Sequence, residues 1–344
     1  MSLPRVSIVI CNHNYDRFLS DAISSALTQR HPVHEVIVVD DGSTDDSLAI
    51  ARRFGNQITL VAQANGGQVA AYNTGLGTVS GDVVIFLDSD DRLRPDAVGA
   101  VARAMVDEAV ARVHFRLALI GPDGTAKGSV IPTRMAEGDL ADTVRAGRLF
   151  FAAPGSGNAY RVSALRRLMP IPAHRQDRHG ADFFAGYGTA LLGRVRALPD
   201  ALAEYRVHKD QDQASLCFGN ALGTTRVALQ ANRYRRLRAW LAVALPGERL
   251  APDVAADFSL QKQAFASAIY TTPSYLTGLR AGWQEWPALW QSIRIRDCRW
   301  PVKLALAGWA LGIWLLPRRL GLPLARYVCN PSSRGVGLNM ASRS

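Results

Sequence analysis

The apolar run Asp82–Leu87 stops abruptly at Asp88-Ser89-Asp90-Asp91. Hard carboxylate oxygens in that pattern suit Mg²⁺ or Mn²⁺, and such an ion, held by one or two carboxylates and by substrate phosphates, neutralises a departing diphosphate. An isolated pattern of this kind serves equally well as a polar turn capping the next helix. A second carboxylate cluster, Asp40-Asp41-Gly42-Ser43-Thr44-Asp45, follows another apolar run. A carboxylate there can accept from the ring N–H of uracil or guanine, which gives the cluster a nucleotide-selecting role; the plainer reading is a loop, with Asp45 capping the helix behind it. The third segment is Cys11-Asn12-His13-Asn14-Tyr15, where His13 or Tyr15 offers a ring to stack on a base. Neither GxGxxG nor GxxxxGK[ST] follows the first strand, which argues against dinucleotide and P-loop binding.

These loops depend on the elements that carry them. The first 110 residues alternate short β-branched runs with helical patterns, the signature of βαβ units around a parallel sheet. Strands are expected at Val6–Ile10, Glu35–Asp40, Ile58–Ala62 and Asp82–Leu87, each nearly continuously apolar, as a strand covered on both faces must be. The three polar segments then share the carboxyl-end rim, where open α/β sheets bind ligands. A helix over about Arg17–Gln29 presents Phe18, Ala22, Ile23, Ala26 and Leu27 on one side, and another ends near Phe54. Beyond them, a helix from Pro95 to about Ala111, a strand over Val113–Ile120, a helix from about Gly180 to Leu192, and strands near Val195–Leu198 and Ala203–Val207 extend the same α/β domain.

Four motifs coincide in order: Val6-Ser7-Ile8-Val9-Ile10 with Asn14; Val38-Val39-Asp40-Asp41-Gly42-Ser43; Asn65-Gly66-Gly67 with Asn73 and Gly75; and Phe86-Leu87-Asp88-Ser89-Asp90-Asp91. Over about the first 95 residues the chain thereby resembles glycosyltransferase family 2. The resemblance implies an inverting transferase with a GT-A-like, Rossmann-type mixed sheet and flanking helices, a nucleotide-diphosphate sugar as donor, and Mg²⁺ or Mn²⁺ as cofactor. It further implies that Asp41 contacts the base, Asp88 the ribose or the metal, and Asp90 the metal. Cys11, His13, Asn14, Asn65, Gly67, Asn73 and Ser89 complete the implied donor-binding set. The family carries its general base on a later helix, usually in a Glu-Asp pair, and Gly180-Ala181-Asp182-Phe183-Phe184 matches that segment. Asp182 is the expected base, with Asp177 as the alternative, while Ala181 stands where the family has Glu. Tyr205-Arg206-Val207-His208 resembles the segment closing the domain, which makes His208 a further metal-site residue. Cys11 and His13 replace the family's usual proline and tyrosine.

With 344 residues, 48% of them hydrophobic, the chain has ample material for a core. Its charge is uneven: residues 1–110 hold 8 Lys/Arg against 14 Asp/Glu, residues 111–344 hold 32 against 15, and from Arg226 onward 17 basic residues oppose 5 acidic ones. The acidic front argues against nucleic-acid binding, and an anionic surface would be met by the later part. A catalytic domain over 1–221 and a helical C-terminal region over 222–344 are expected, the latter shaping a site for a glycan or lipid-linked acceptor and touching a membrane surface. Arg226, Arg233, Arg235, Arg236 and Arg238 suit anionic headgroups or a lipid diphosphate, or else face water from a packed helix. Arg175 and Arg178 pose the same choice for the donor diphosphate. The apolar run Leu304–Leu316, 13 residues long, is too short to span a bilayer; with Trp300, Trp309, Trp314, Lys303, Arg318 and Arg319 it suits an interfacial helix or a buried one. Four scattered cysteines without metal spacing, and no signal segment before the first strand, point to a cytoplasmic protein, peripheral on the inner face of the cell membrane. Two other functions bear on the same residues. A sugar-phosphate nucleotidylyltransferase would need a Gly-rich loop with a basic residue after the first strand, which Cys11–Tyr15 lacks; a catalytically silent nucleotide-sugar-binding or scaffold subunit is suggested by Ala181.

Overall fold

A computed structural model describes residues 2–172, 180–208, 224–252, 258–296 and 298–329, without the side chains of residues 224–231 and 259–260. Its strands are β1 (Val6–Asn12), β2 (Glu35–Asp41), β3 (Thr59–Gln63), β4 (Val83–Asp88), β5 (Arg92–Leu93), β6 (Val110–Ile120), β7 (Ala126–Ile131), β8 (Asn158–Arg161) and β9 (Arg194–Arg206). The helices are α1 (Asp16–Leu27), α2 (Ser47–Arg52), α3 (Gln68–Thr78), α4 (Ala97–Ala104), α5 (Ala141–Arg145), α6 (Val162–Arg166), α7 (Ala181–Thr189), α8 (Thr224–Ala244), α9 (Phe258–Tyr270), α10 (Tyr275–Ile295), α11 (Trp300–Leu315) and α12 (Arg318–Cys329).

The strands form one mixed sheet in the order β3-β2-β1-β4-β8-β6-β9-β5, with β7 beside β6. Around β1 it is parallel, and its side chains are apolar on both faces because helices cover both. The chain places β2 and β3 on one side of β1 and β4 on the other, so a crevice opens at their carboxyl ends. Register aligns the polar segments there: Asn12 lies opposite Asp40, and Cys11 opposite Asp88. Burial of Phe18, Leu19, Ala22, Ile23 and Ala26 holds α1 against this sheet.

Three features depart from the sequence expectation. The helix after Pro95 ends at Ala104 and not near Ala111, because Val110 already pairs with Arg194 as β6 begins. The strands expected near Val195 and Ala203 are one, β9; its register against β6 jumps from Leu198 to Ala201, so Pro199, which has no N–H for the ladder, lies in a bulge. Finally, β8 runs antiparallel between β4 and β6.

Two compact units divide the chain. The first is Met1–Arg145, Phe150–His208 and Leu237–Leu250; the second is Ala146–Leu149, Lys209–Arg236 and Ala251–Ser344. The boundary expected near Ala221 lies outside the described residues. Leu237–Leu250 joins the first unit through Trp240, whose indole N–H donates to Pro170 O at 3.0 Å and whose ring meets Phe184 edge-on, and through the Glu248–Arg145 ion pair at 2.9 Å. The second unit has its own core, in which Phe265, Ile269, Leu289, Ile293, Ala310 and Ile313 pack with Trp286 and Trp314.

Candidate active site

At the end of β2 the two aspartates divide the work. Asp40 is buried and accepts from Asn12 Nδ2 at 2.9 Å, Ser43 N at 2.9 Å and Ser43 Oγ at 2.6 Å, which closes the turn after the strand. Asp41 accepts from Gly66 N at 2.7 Å, Gly67 N at 2.6 Å and Gln63 Nε2 at 2.7 Å, and its carboxylate also borders a cavity. Gly67 has φ +86°, a backbone state that an L side chain resists, so the loop can aim successive N–H groups at Asp41. Asp45 accepts from Ser47 N, the first residue of α2, at 3.0 Å and from Asp16 N at 2.9 Å, tying α2 to the start of α1, while the N-cap position itself is held by Asp46.

The loop after β1 is fastened to the same turn. Asn14, at φ +57°, accepts from Thr44 N at 2.7 Å and donates its own N–H to Ser43 Oγ at 3.0 Å. His13 is exposed beside Asn65, whose amide nitrogen lies 2.9 Å from His13 Nε2. Burial pushes the Cys11 thiol up and the Tyr15 hydroxyl up to about 12, so both stay protonated at neutral pH.

At the end of β4 the pairing is different. Asp91 is fully buried and structural: it accepts from Ser156 Oγ at 2.6 Å and from Arg206 N at 2.9 Å, while Ser156 Oγ accepts the Asp88 N–H at 3.0 Å. Asp88 and Asp90 face the crevice, and Asp90 Oδ2 lies 2.8 Å from His208 Nε2. Arg206 donates Nε–H to the Asp90 carbonyl at 2.8 Å and stacks over Phe18 at 4.5 Å, bracing the segment from below. Burial first, then the charges of Asp90 and Asp182, push the Asp88 carboxyl up to about 7. Asp91 is pushed well above the carboxylate range by the same burial and by Asp90 and Asp88. Gly155 completes the wall: a Cβ there would stand 2.6 Å from Asp88 Oδ2.

Gln68, the first residue of α3, connects this carboxylate to α7. Its Nε2 approaches Asp88 Oδ1 at 3.4 Å, and its Oε1 accepts from Gly180 N at 2.9 Å and Ala181 N at 3.3 Å. Asp182 occupies the first turn of α7, partly buried, with Oδ1 accepting its neighbour's N–H from Phe183 at 2.9 Å. The cavity bounded by these strand ends measures about 460 Å³ and is lined among others by Cys11, His13, Tyr15, Asp41, Gln68, Asp88, Asp90 and Tyr205. That volume suits a small organic ligand, for which roughly 300–1,000 Å³ is usual. A larger concavity of about 550 Å³ beside Arg167, Leu191 and Leu245 contains one carboxylate, Glu248, already paired with Arg145; the smaller cavity holds the chemistry.

Of the residues the sequence singles out, Cys11, His13, Asp41, Asn65, Gly67, Asp88, Ser89 and Asp90 line this cavity. Asn14 instead shapes its loop, and Asn73 pairs both ways with the Ile171 backbone at 2.9 Å, outside the lining. His208 reaches the site through Asp90, and Asp182 acts on it through charge on Asp88. Arg175, Asp177 and Arg178, like the Arg226 side chain, lie outside the described residues. Gln68 and Ser156 were missed, and Tyr205 entered only as part of the segment ending in His208; Gln68 carried a signal in its place directly after Gly66-Gly67 at a helix start. For a divalent ion, the oxygens of Asp88 and Asp90 are chemically suitable donors, and His208 Nε2 is engaged by Asp90 Oδ2 at 2.8 Å. Among the described residues no three or more His, Cys, Asp or Glu side chains form a cage, so phosphates and water would supply the remaining ligands.

The sequence matches the Glycosyl transferase family 2 model over residues 7–169, the span that builds β1–β4, β6 and β8 and both aspartate clusters. Over those residues the chain is similar to glycosyltransferase family 2. The family 2 segment continues into an alignment, 37% identical over 211 residues, with an uncharacterized glycosyltransferase of Nostoc sp., covering 59% of this chain and 65% of that protein. The chondroitin synthase of Pasteurella multocida is 33% identical over 127 residues, 36% of this chain and 13% of the synthase. The chain therefore spans less than two thirds of the length of either relative. In fold it is similar to Staphylococcus aureus TarS 1–349 in complex with UDP-GlcNAc, with a TM-score of 0.53 at 17% identity over 96% of this chain and 92% of that one. The GT-A-like mixed sheet with a helical C-terminal region is thus shared well beyond the family 2 segment.

Proposed function

We propose that the chain is an inverting, metal-dependent glycosyltransferase that moves a sugar from a nucleotide-diphosphate sugar to a hydroxyl of a glycan or lipid-linked acceptor in surface polysaccharide synthesis. The observation that carries this reading is the convergence of Asp41, Asp88 and Asp90 on one 460 Å³ cavity at the ends of β1, β2 and β4. Asp41, fixed by two loop amides, keeps lone pairs for a base N–H, and Tyr15 and His13 border the place a base would occupy. Mg²⁺ or Mn²⁺ held by Asp90, with Asp88 and His208 beside it, would neutralise the diphosphate as it leaves. A cavity lined by Asp41, Asp88 and Asp90, with no Lys or Arg in its lining among the described residues, repels an anionic donor unless a cation accompanies it, which favours metal dependence.

Asp182 takes the proton of the acceptor hydroxyl. That oxygen bonds to the anomeric carbon from the face opposite the nucleoside diphosphate, whose C–O bond breaks, so the anomeric configuration inverts. Gln68 keeps the base-bearing turn of α7 in register with Asp88. The polysaccharide acceptor draws support from the chondroitin synthase relative, and work at the cytoplasmic face of the membrane from the basic C-terminal region. Thermal-shift titration with UDP-, GDP- and dTDP-sugars, with and without Mn²⁺, tests the reading, because a ligand of the folded state raises the melting temperature. A metal-dependent rise with one donor is expected. In turnover, Asp182→Asn should lose roughly 10²–10⁴-fold while that donor shift persists. No metal-dependent shift with any donor would sink the proposal, and a parent protein that binds donor but never transfers would favour the scaffold alternative.

A further inference from the structure

α11 is apolar where it faces water, and α12 sets exposed leucines and a tyrosine beside exposed Arg319 and Arg326. Trp300, Leu304, Leu311 and Leu315 recur at helical spacing along α11 and are exposed, Trp300 at 62% and Leu304 at 64%, while Ala310 and Ile313 hold the opposite side in the core. A helix apolar all round is normally covered all round. α12 repeats the arrangement, with Leu320, Leu324 and Tyr327 exposed and Gly321, Ala325 and Cys329 buried. The two stripes are tied together, since Trp309 Nε1 on α11 donates to the Leu324 carbonyl at 2.9 Å. Trp283 of α10, 70% exposed, extends the surface by packing its ring 6.0 Å from Trp314.

Charge says what covers this face. Residues 275–329 hold eight Lys/Arg against two Asp/Glu, and Arg299 and Arg319, both exposed, flank the stripes. Lys303 lies over the Trp300 ring at 5.7 Å, an ammonium beside an amphipathic aromatic. A second copy of so basic a face would meet like charge. No helix among the described residues is long and apolar enough to cross a membrane, so the face suits a surface and not a span. We propose that α11 and α12 lie in the headgroup layer of an anionic bilayer, with leucines and tryptophans in the acyl boundary and arginines among the phosphates.

The proposal is independent of the catalytic reading, and its test needs no sugar donor. The full chain is sedimented with vesicles of phosphatidylcholine alone or mixed with phosphatidylglycerol, and tryptophan quenching by brominated lipid is followed in parallel. Salt-sensitive binding to the mixed vesicles with quenching is expected, and Leu304→Glu should weaken it at least about tenfold with an unchanged melting curve. Arg319→Glu serves as a second variant and should weaken binding in the same direction. Absence of binding, or binding by both variants as tight as the parent's, overturns the proposal; so does a dimer in solution that Leu304→Glu converts to monomer, because the face would then belong to a second copy.

Discussion

The acidic ends of β2 and β4 look alike in sequence and are built on different principles. At β2 the carboxylates are each met by several donors: Asn12 and Ser43 turn toward Asp40, and Gly66, Gly67 and Gln63 toward Asp41. At β4 the buried member of the set, Asp91, is served by Ser156 and Arg206, while Asp88 has one long contact from Gln68 and is pushed up to about 7. One end is complete by itself and supplies shape. The other leaves Asp88 and Asp90 turned toward the cavity, and under the proposed function a cation would complete it.

The largest effect should follow from Asp90→Asn. Removing that charge leaves the fold intact and, by relieving Asp88, no less stable, yet transfer falls by roughly 10³-fold. Nucleoside-diphosphate release set beside a melting curve reads both quantities, and a variant retaining a tenth of parental turnover would break the contrast. Next comes Asp40→Ala, which leaves Ser43 N and Ser43 Oγ without their acceptor and Asn12 Nδ2 with only Ser43 Oγ at 3.1 Å, and costs about 3 kcal/mol in urea unfolding. If it costs under about 0.5 kcal/mol, the β2 end is not self-supporting in the sense argued.

The smallest effect is the pH response of Asp88 with metal removed by chelation. Its folded pKa of about 7 exceeds the unfolded value, so across about pH 4 to 7 the folded chain retains a proton that the unfolded chain has lost, and this group makes stability decline as pH rises. Asp88→Asn should flatten that decline and be about 1–2 kcal/mol more stable than the parent at pH 7. Parallel stability curves for the two proteins would show that the β4 end is neutralised by something in the chain itself.

The parallel half of the sheet was readable because each of its strands is nearly continuously apolar and ends at a polar cluster. β8 was not: Asn158-Ala159-Tyr160-Arg161 has neither alternation nor length, and it is a strand because β4 and β6 flank it on both sides. Pro199 disguised one strand as two, since a proline can hide in a bulge without ending the pairing. Within the site, residue type identified both aspartate pairs but gave no means of telling the loop-building member from the cavity-facing one. That choice depends on partners distant in the chain, such as Ser156 for Asp91 and Gly67 for Asp41.

The bond from Arg206 N to Asp91 spans 115 residues. At a synthesis rate of about 5–20 residues per second, Asp91 leaves the ribosome on the order of ten seconds before its partner exists. During that interval the parallel strands can assemble, but the acid-rich turn lacks β9 throughout, and lacks Ser156 until 65 of the 115 residues have been made. A nascent chain is therefore catalytically blank until its domain is nearly whole, and one that terminates early, ahead of β9, carries an acidic motif with no means of presenting it.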